Sequence, residues 1–352
     1  MKVALSVKEI WSFMNGVLCV YKPRDISLAS LKKRIVNQIV EEGNTYDDSM
    51  DTIPMIEMPI VEPHPETEAL LVVGTRRQLD YRRHPLMCGK AFRAEDIMIE
   101  QITELEPASS GICAFAIGSE CYKLDDLRHQ AWINTYRMIG KFGEQTDKHY
   151  IRGKIIERAQ YEHVTRHKLQ KLLTRLRAQY KRASFELAEV DIKSQAAFEL
   201  ARKGVPRPRI LDSPVVYNAS INNFHTPFFG LTIQVTGETD YFLRAFIHEL
   251  GLSLGTVACT KQLRRIRMDV LGKDHALLDK ELNLTNIIRN ILLCNKALEL
   301  AKEEKKEPVI KVKKLNEMES NTIVEAYKPV AEDDETEEDC LRIPWGREYT
   351  KV

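Results

Sequence analysis

The sequence lacks several patterns that mark common catalytic and metal sites. It has no CxxC pair, and its seven cysteines lie far apart, which argues against a zinc ribbon or a thioredoxin-type site. Neither the phosphate-cradling GxxxxGK[ST] loop nor the GxGxxG turn of dinucleotide-binding domains occurs. These absences remove the usual leads to a nucleotide-dependent or zinc-dependent enzyme.

Histidine pairs give no metal site either. In "HVTRH", Thr165 has the chemistry of a helix N-cap, which would leave His163 outside the helix that carries His167. His248 and Glu249 are adjacent on a predicted helix, so their side chains face different directions. The sequence therefore predicts no bound metal.

Long hydrophobic runs are also missing, and none is long enough to cross a bilayer. The N-terminal segment "MKVALSVKEIWSFM" makes a poor secretory signal because Lys8 and Glu9 interrupt its apolar stretch. The same segment has no Arg, so it is a poor mitochondrial presequence, although an internal import signal remains compatible. With an odd number of scattered cysteines, these features predict an intracellular protein with reduced, mostly buried thiols.

The charges of the chain are balanced in total but not in position. The 352 residues include 52 Lys or Arg and 51 Asp or Glu, a net charge of +1. Residues 151–210 alone hold fifteen basic and six acidic side chains, or +9, and "KQLRRIR" (261–267) adds a second basic cluster. Solvated helix faces are one explanation, and a nucleic-acid backbone is the other, since clustered cations release counterions from neighbouring phosphates.

Strands and helices alternate irregularly, which favours an α+β fold with a mixed or antiparallel sheet and flanking helices. Hydrophobic residues make up 43% of the chain, enough for a substantial core. The apolar patterns predict strands at 17–21, within 68–85, at 110–118, 135–144 and 228–237, and a short strand and turn in 258–272. They predict helices at 27–43, 121–134, 166–180, 194–209 and 240–255.

A chain of 352 residues allows one large domain with insertions, or two domains. We expect a main domain at 15–295, preceded by an N-terminal extension at 1–14 and carrying an acidic, proline-containing insertion at about 44–67. Residues 296–352 form a charged tail that includes "AEDDETEED", and we expect this tail to be disordered and available to protein partners.

Four separated segments carry a family resemblance. They are "NGVLCVYKP" (15–23), "ELEPASSG" (104–111), "FLRAFIHELGLSLG" (242–255) and "QLRRIR" (262–267). In this order and spacing they resemble the TruB family of pseudouridine synthases, over roughly residues 15–295. "HPLMCGKAF" (84–92) and "YEHVTRHKL" (161–169) resemble its animal mitochondrial branch. The resemblance implies a pseudouridine synthase-like catalytic domain and a mitochondrial location.

The resemblance also implies a reaction. Such enzymes flip a uridine out of its RNA, detach the base from C1′, rotate it and rejoin it through C5, without metal or cofactor. The family's catalytic Asp lies in a G-x-L-D-P-x-A-T-G turn, which here reads "TELEPASSG". Glu106 therefore takes the place of the Asp, Thr103 that of the leading Gly, and Gln101 that of an upstream His.

Six further site residues follow from the same comparison. Tyr136 is expected to stack on the target base, and Arg244 to pair with the catalytic carboxylate. Phe242 keeps the ring of a family Tyr but lacks its hydroxyl. The remaining expected substrate contacts form the "LRR" segment at the pocket floor: Leu263, Arg264 and Arg265.

Three functions stay open on this basis. The first is an RNA pseudouridine synthase that acts through Glu106 on tRNA, mitochondrial mRNA or rRNA. The second is a catalytically impaired RNA-binding protein in RNA maturation or ribosome assembly, because Glu is one methylene longer than Asp. A displacement of about 1 Å can lower a rate by about 100-fold. The third is a protein–protein scaffold, which the +9 segment disfavours.

Overall fold

A computed structural model describes residues 6–46, 55–65, 68–80, 82, 87, 89–129, 132–187, 190–203 and 214–306. Its centre is a seven-stranded mixed sheet with the strand order β1-β5-β11-β6-β10-β9, in which β4 also pairs with β5. The strands of this sheet are β1 (Gly16–Lys22), β4 (Ile99–Gln101), β5 (Ser110–Ile117), β6 (Asn134–Phe142), β9 (Val215–His225), β10 (Phe228–Thr236) and β11 (Ala258–Met268). Two hairpins lie outside it: β2 (Met55–Pro63) with β3 (Leu70–Leu79), and β7 (Glu144–Thr146) with β8 (Ile155–Arg158).

Helices cover the sheet. They are α1 (Val7–Phe13), α2 (Leu28–Gly43), α3 (Leu124–His129), α4 (Arg166–Leu187), α5 (Gln195–Lys203), α6 (Asp240–Ser253) and α7 (Leu284–Lys306). α7 packs on β1, α4 on β9, and α6 on β11. The α+β prediction, with a mixed sheet and flanking helices, is confirmed.

Alternation along the strands builds a core on each face of the sheet. In β1, Leu18 and Val20 enter the larger core, whereas Val17 and Cys19 enter the smaller one. β5 is buried along its whole length, which explains why its sequence reads as a continuous apolar run. Its first two residues pair with β11 in parallel, at Arg264 and Arg265, while its other pairings are antiparallel.

Most predicted elements are present with shifted ends. Thr165 caps α4 as expected, because its hydroxyl accepts a hydrogen bond from the Lys168 N–H at 3.4 Å, and the helix continues to residue 187. β11 is an eleven-residue strand and not the short strand predicted in 258–272. The helix predicted at 121–134 is a 3-10 turn over 118–123 followed by α3. Two long elements, β9 and α7, were not predicted.

The segments predicted to lie outside the main domain also contain helices or strands. α1 lies in the predicted N-terminal extension, yet its Ile10 is fully buried in the larger core. The acidic insertion contributes β2, whose side chains are mostly exposed, while residues 47–54 lie outside the described residues. α7 runs to residue 306, past the boundary predicted at 295, and residues 307–352 lie outside the described residues.

The described cysteines are all free thiols, four of them buried, in agreement with the sequence. None of the helices in the described ranges combines the length and apolar character needed to span a membrane. Within the same ranges, no three His, Cys, Asp or Glu side chains come together as a possible metal site.

Candidate active site

The segment "LEPASSG" (105–111) folds into a tight turn that is held by hydrogen bonds to a buried side chain. Pro107 follows Glu106, and the Ser109 N–H donates to the Glu106 carbonyl at 3.1 Å, so the four residues close a β-turn with proline at its second position. One oxygen of Asp240, Oδ2, accepts from the Glu106 N–H at 3.0 Å and from the Ser109 hydroxyl. Asp240 is buried in the first turn of α6, where a negative charge is favoured by the helix dipole.

A buried lysine fixes the opposite side of the turn. The Lys22 side chain is fully buried at the end of β1, and burial lowers its pKa. Its ammonium donates to carbonyl oxygens on both the turn and the loop that follows β1: Pro107, Ser109, Pro23 and Ile26. The Asp25 N–H also donates to the Pro107 carbonyl at 2.7 Å. The turn and the loop after β1 therefore form one hydrogen-bonded unit.

Glu106 and Arg244 form the ion pair that the resemblance implied. Arg244 lies one helical turn after Asp240 on α6, and its Nη2 is 2.7 Å from Glu106 Oε1. The side chain of Arg244 is 12% exposed and that of Glu106 43% exposed. The contact uses one carboxylate oxygen, and Arg244 Nε is buried without a hydrogen-bond partner among the described residues.

Tyr136 packs in the core and does not present a free face. It is 1% exposed, and its hydroxyl donates to Glu238 Oε1 at 2.7 Å. Burial raises the pKa of Tyr136 well above its usual value, so the phenol is neutral at physiological pH.

Arg265 is a buried cation next to Tyr136. Its Nε donates to the Ile112 carbonyl at 2.8 Å, and its Nη1 to the Thr103 hydroxyl at 2.8 Å and to the Tyr136 hydroxyl at 3.4 Å. Thr103, which replaces the glycine of the family turn, therefore has a partner of its own. These bonds connect the sheet to the segment that leads into the Glu106 turn.

The other predicted contacts have different surroundings. Leu263 is buried in the larger core, and Arg264, the next residue along β11, is exposed on the opposite face of the strand. Phe242 is partly buried against the same core, with its ring centroid 6.3 Å from that of Phe246. The structure thus joins Glu106 with Arg244 and Tyr136 with Arg265.

A cavity of about 660 Å³ opens beside the turn. Polar side chains from four segments line it, among them Thr103, Glu106, Asn134, Glu238, Asp240 and Arg265. Sequence reasoning missed Asp240 and Glu238, although both lie within six residues of Arg244. Their closeness in sequence to the family segment "FLR" (242–244) could have indicated them.

Glu238 is a partly buried carboxylate in the cavity wall. Its Oε1 accepts from Asn134 Nδ2 and from the Tyr136 hydroxyl, both at 2.7 Å. Burial raises the pKa of Glu238, while these donors and the charge of Arg265 act in the opposite direction. Four carboxylates line the cavity: Glu104 is exposed, Glu106 and Glu238 are partly buried, and Asp240 is buried.

Comparison with known proteins identifies the chain's relatives. A model of the TruB family pseudouridylate synthase (N terminal domain) matches residues 102–241, which include Glu106 and Tyr136. Mitochondrial pseudouridylate synthase TRUB2 of Rattus norvegicus is 30% identical over 276 residues, which is 78% of this chain and 84% of that protein. The chain belongs to the TruB family of pseudouridine synthases.

Within the TruB family the similarity favours the mitochondrial animal branch. TRUB2 of Homo sapiens is 28% identical over 276 residues, covering 78% of this chain and 82% of that protein. Pseudouridylate synthase TRUB1 of Homo sapiens is 22% identical over 317 residues, covering 88% of this chain and 78% of that protein. The higher identity to TRUB2 confirms the branch that "HPLMCGKAF" and "YEHVTRHKL" indicated. The chain is therefore an RNA pseudouridine synthase, an isomerase.

Proposed function

We propose that this TruB protein isomerises uridines in RNA and that Glu106 is its catalytic carboxylate. The main support for this proposal is the 2.7 Å ion pair between Arg244 and Glu106, which lines the cavity. In the reaction the N1–C1′ bond breaks, the base rotates, and a C5–C1′ bond forms. The proton leaves C5 and N1 gains one, so the product is an isomer of uridine and no external reactant is needed.

Preorganisation supports Glu106 in this role. The reaction needs an ionised carboxylate held near the sugar, and a guanidinium that contacts it keeps it charged and oriented. Asp240 and Lys22 bind the backbone of the turn, so the position of the Glu106 Cα is set before substrate arrives. The extra methylene of Glu is then accommodated by the turn and by side-chain rotation.

The cavity suits a flipped base. Its volume of about 660 Å³ lies within the range of ligand pockets, roughly 300–1,000 Å³. An enzyme that acts on a base inside a duplex or a stacked strand must take it out of the stack. We assign Tyr136, Leu263 and Arg265 to the supporting floor, Phe242 to the flank of Arg244, and Arg264 to contact with the RNA backbone.

One helix offers a track for RNA phosphates. Exposed cations recur on α4 at helical spacing, which places them on one stripe: Lys168, Lys171, Arg175 and Arg182. A row of this kind fits a polyanionic backbone. tRNA, mitochondrial mRNA and rRNA all satisfy this chemistry, and the names of the TRUB2 relatives support a mitochondrial site of action.

The test compares pseudouridine in RNA from cells that contain the protein, lack it, or contain Glu106→Gln. We expect specific pseudouridines to disappear without the protein and to stay absent with Glu106→Gln. Glu41→Gln is the matched control, because Glu41 is exposed on α2 and does not line the cavity, and it should restore them. If no pseudouridine depends on the protein, the proposal is wrong.

The second candidate is an RNA-binding protein with impaired catalysis. The single-oxygen contact and the 43% exposure of Glu106 favour it, because the carboxylate is less confined than a bidentate pair would be. On this reading, Glu106→Gln would rescue the growth or ribosome-assembly defect of cells that lack the protein. Failure to rescue, with RNA affinity unchanged, would contradict it.

A further inference from the structure

An exposed aromatic side chain, Tyr241, lies beside the Glu106–Arg244 pair. Tyr241, in the first turn of α6, is 58% exposed. Its ring centroid lies 5.9 Å from that of His149, and His149 stacks on His248 with a centroid distance of 4.5 Å and an interplanar angle of 26°. The Tyr241 and His149 rings are tilted by 56°, so the three rings form a contiguous aromatic cluster that ends in solvent.

Backbone hydrogen bonds and burial hold the two histidines of this cluster in place. His149 has a left-handed backbone, φ +53°, which its hydrogen bonds hold: its N–H donates to the Thr146 carbonyl at 3.1 Å, and its carbonyl accepts from the Thr260 N–H at 2.8 Å. His248 is buried on α6. Because burial and backbone hydrogen bonds hold the supporting rings, a ligand that stacks on Tyr241 would order little of the protein beyond the Tyr241 side chain.

The position of Tyr241 points to the rim of the site. Its neighbour Asp240 binds the catalytic turn, and the Arg244 guanidinium carbon lies 6.0 Å from the Tyr241 ring centroid. Glu106 and Asp240 line the cavity, whereas Tyr241 does not. A base on Tyr241 would therefore be adjacent to the cavity and not inside it.

The ring that supports Tyr241 is uncharged. Burial lowers the pKa of His149, and the nearby His248 and Arg244 act in the same direction, so His149 is neutral at physiological pH and contributes a ring. Tyr136 and Phe242, the rings expected from the sequence, are packed against the core. Tyr241 is the ring of this group that is open to a ligand.

We propose that Tyr241, supported by His149, stacks on the base of a nucleotide that flanks the target uridine, and so positions the RNA chain at the mouth of the cavity. This inference rests on the proposed function, because it takes the Glu106 cavity as the place where the target base enters. Every base has a π face, so such a contact is tolerant of sequence and adds affinity without reading it.

The experiment measures binding of a short fluorescein-labelled oligouridylate to the full chain by anisotropy over a series of salt concentrations. Tyr241→Ala and Tyr241→Leu remove the ring, and Tyr241→Phe keeps it. Tyr122→Ala is the control, since Tyr122 is 79% exposed just beyond the far end of β5 from the catalytic turn. Thermal melting verifies that each variant is folded.

We expect both ring-removing variants to weaken binding by roughly 5- to 150-fold, the range for one lost base–aromatic stack. The slope of log Kd against log salt should not change, because no phosphate contact is removed. Tyr241→Phe and Tyr122→Ala should bind like the wild type. Unchanged affinity in Tyr241→Ala and Tyr241→Leu, equal loss in Tyr241→Phe, or a changed salt slope would overturn the proposal.

Pseudouridine formation separates this inference from the function on which it rests. With an active wild type, Tyr241→Ala should raise KM and leave kcat unchanged, as expected of a positioning residue. If the wild type forms no pseudouridine, the proposed function fails whatever the binding data show. If it is active and Tyr241→Ala has normal KM, the stacking inference alone fails.

Discussion

Arg244 contacts Glu106 through Nη2 alone, at 2.7 Å from Oε1, while its Nε is buried and has no hydrogen-bond partner among the described residues. Nε and Nη2 lie on the same edge of the guanidinium, the edge that binds a carboxylate in a side-on bidentate pair. Rotation of the Glu106 side chain would bring its second oxygen to Nε. The backbone of the turn need not move, because Asp240 and Lys22 hold it.

Glu106→Asp tests whether this site is built for glutamate. The shorter side chain withdraws the carboxylate from Arg244 by roughly 1 Å or more, so we expect the rate of pseudouridine formation to fall about 100-fold. Single-turnover release of tritium from RNA labelled at uridine C5 measures the rate. Glu41→Asp, at an exposed position outside the cavity lining, is the control and should be neutral. A faster rate in Glu106→Asp would instead show that glutamate impairs the wild-type site.

Asp240 is expected to contribute to both stability and catalysis. Asp240→Ala leaves the Glu106 N–H and the Ser109 hydroxyl without their acceptor, which should lower the free energy of unfolding by about 1–3 kcal/mol. The rate should fall as well, because the turn loses its support. Asp240→Asn keeps a carbonyl oxygen and should lose less on both counts. Urea unfolding measures the first effect, and equal losses in the two variants would contradict this explanation.

Gly111 sits where β5 and β11 approach closely. Its φ is +129°, and a Cβ at this position would lie 2.1 Å from the backbone oxygen of Arg265. Gly111→Ala should therefore lower the free energy of unfolding by more than the roughly 1–3 kcal/mol of backbone strain alone. Gly272→Ala is the matched control, since a Cβ there meets nothing within 4 Å. Comparable stability of the two variants in thermal unfolding would refute this expectation.

Glu238 should make stability depend on pH. Its folded pKa is raised by burial above the ordinary 4.5, so the folded state holds the proton more tightly than the unfolded state. The stabilisation is complete below about pH 4.5 and is lost as pH rises through the folded pKa. Relative to Glu238→Gln, the wild type should therefore lose free energy of unfolding over that window. The exposed Glu41 gives the control Glu41→Gln, which should keep the wild-type pH profile.

The sequence predicted the elements whose apolar pattern is uninterrupted. β5 is a compact apolar run between a turn and a glycine, and α4 has a cap and one apolar stripe, so both were located correctly. β9 was not predicted, because its three asparagines and one histidine are poor strand formers. In the structure, pairing with β10 outweighs that preference. α7 has visible helical periodicity, but it merges into the charged segment that obscured its end.

The ion pair of the site was predictable, and its support was not. Glu106 and Arg244 followed from a family resemblance carried by short segments, which fix which residues meet. The burial of Tyr136 depends on the depth of the ring below the cavity, which no local pattern encodes. Asp240 and Lys22 bind backbone groups, and such contacts depend on tertiary geometry and not on residue spacing.

Asp240 and Arg244 stand one turn apart at the start of the same helix, and they hold the backbone and the carboxylate of Glu106 respectively. Local unfolding of that first turn would release both at once. The site should then open as a cooperative unit, and the amide of Glu106 should exchange with solvent deuterium together with that of Phe242, which is bonded to the Thr239 cap.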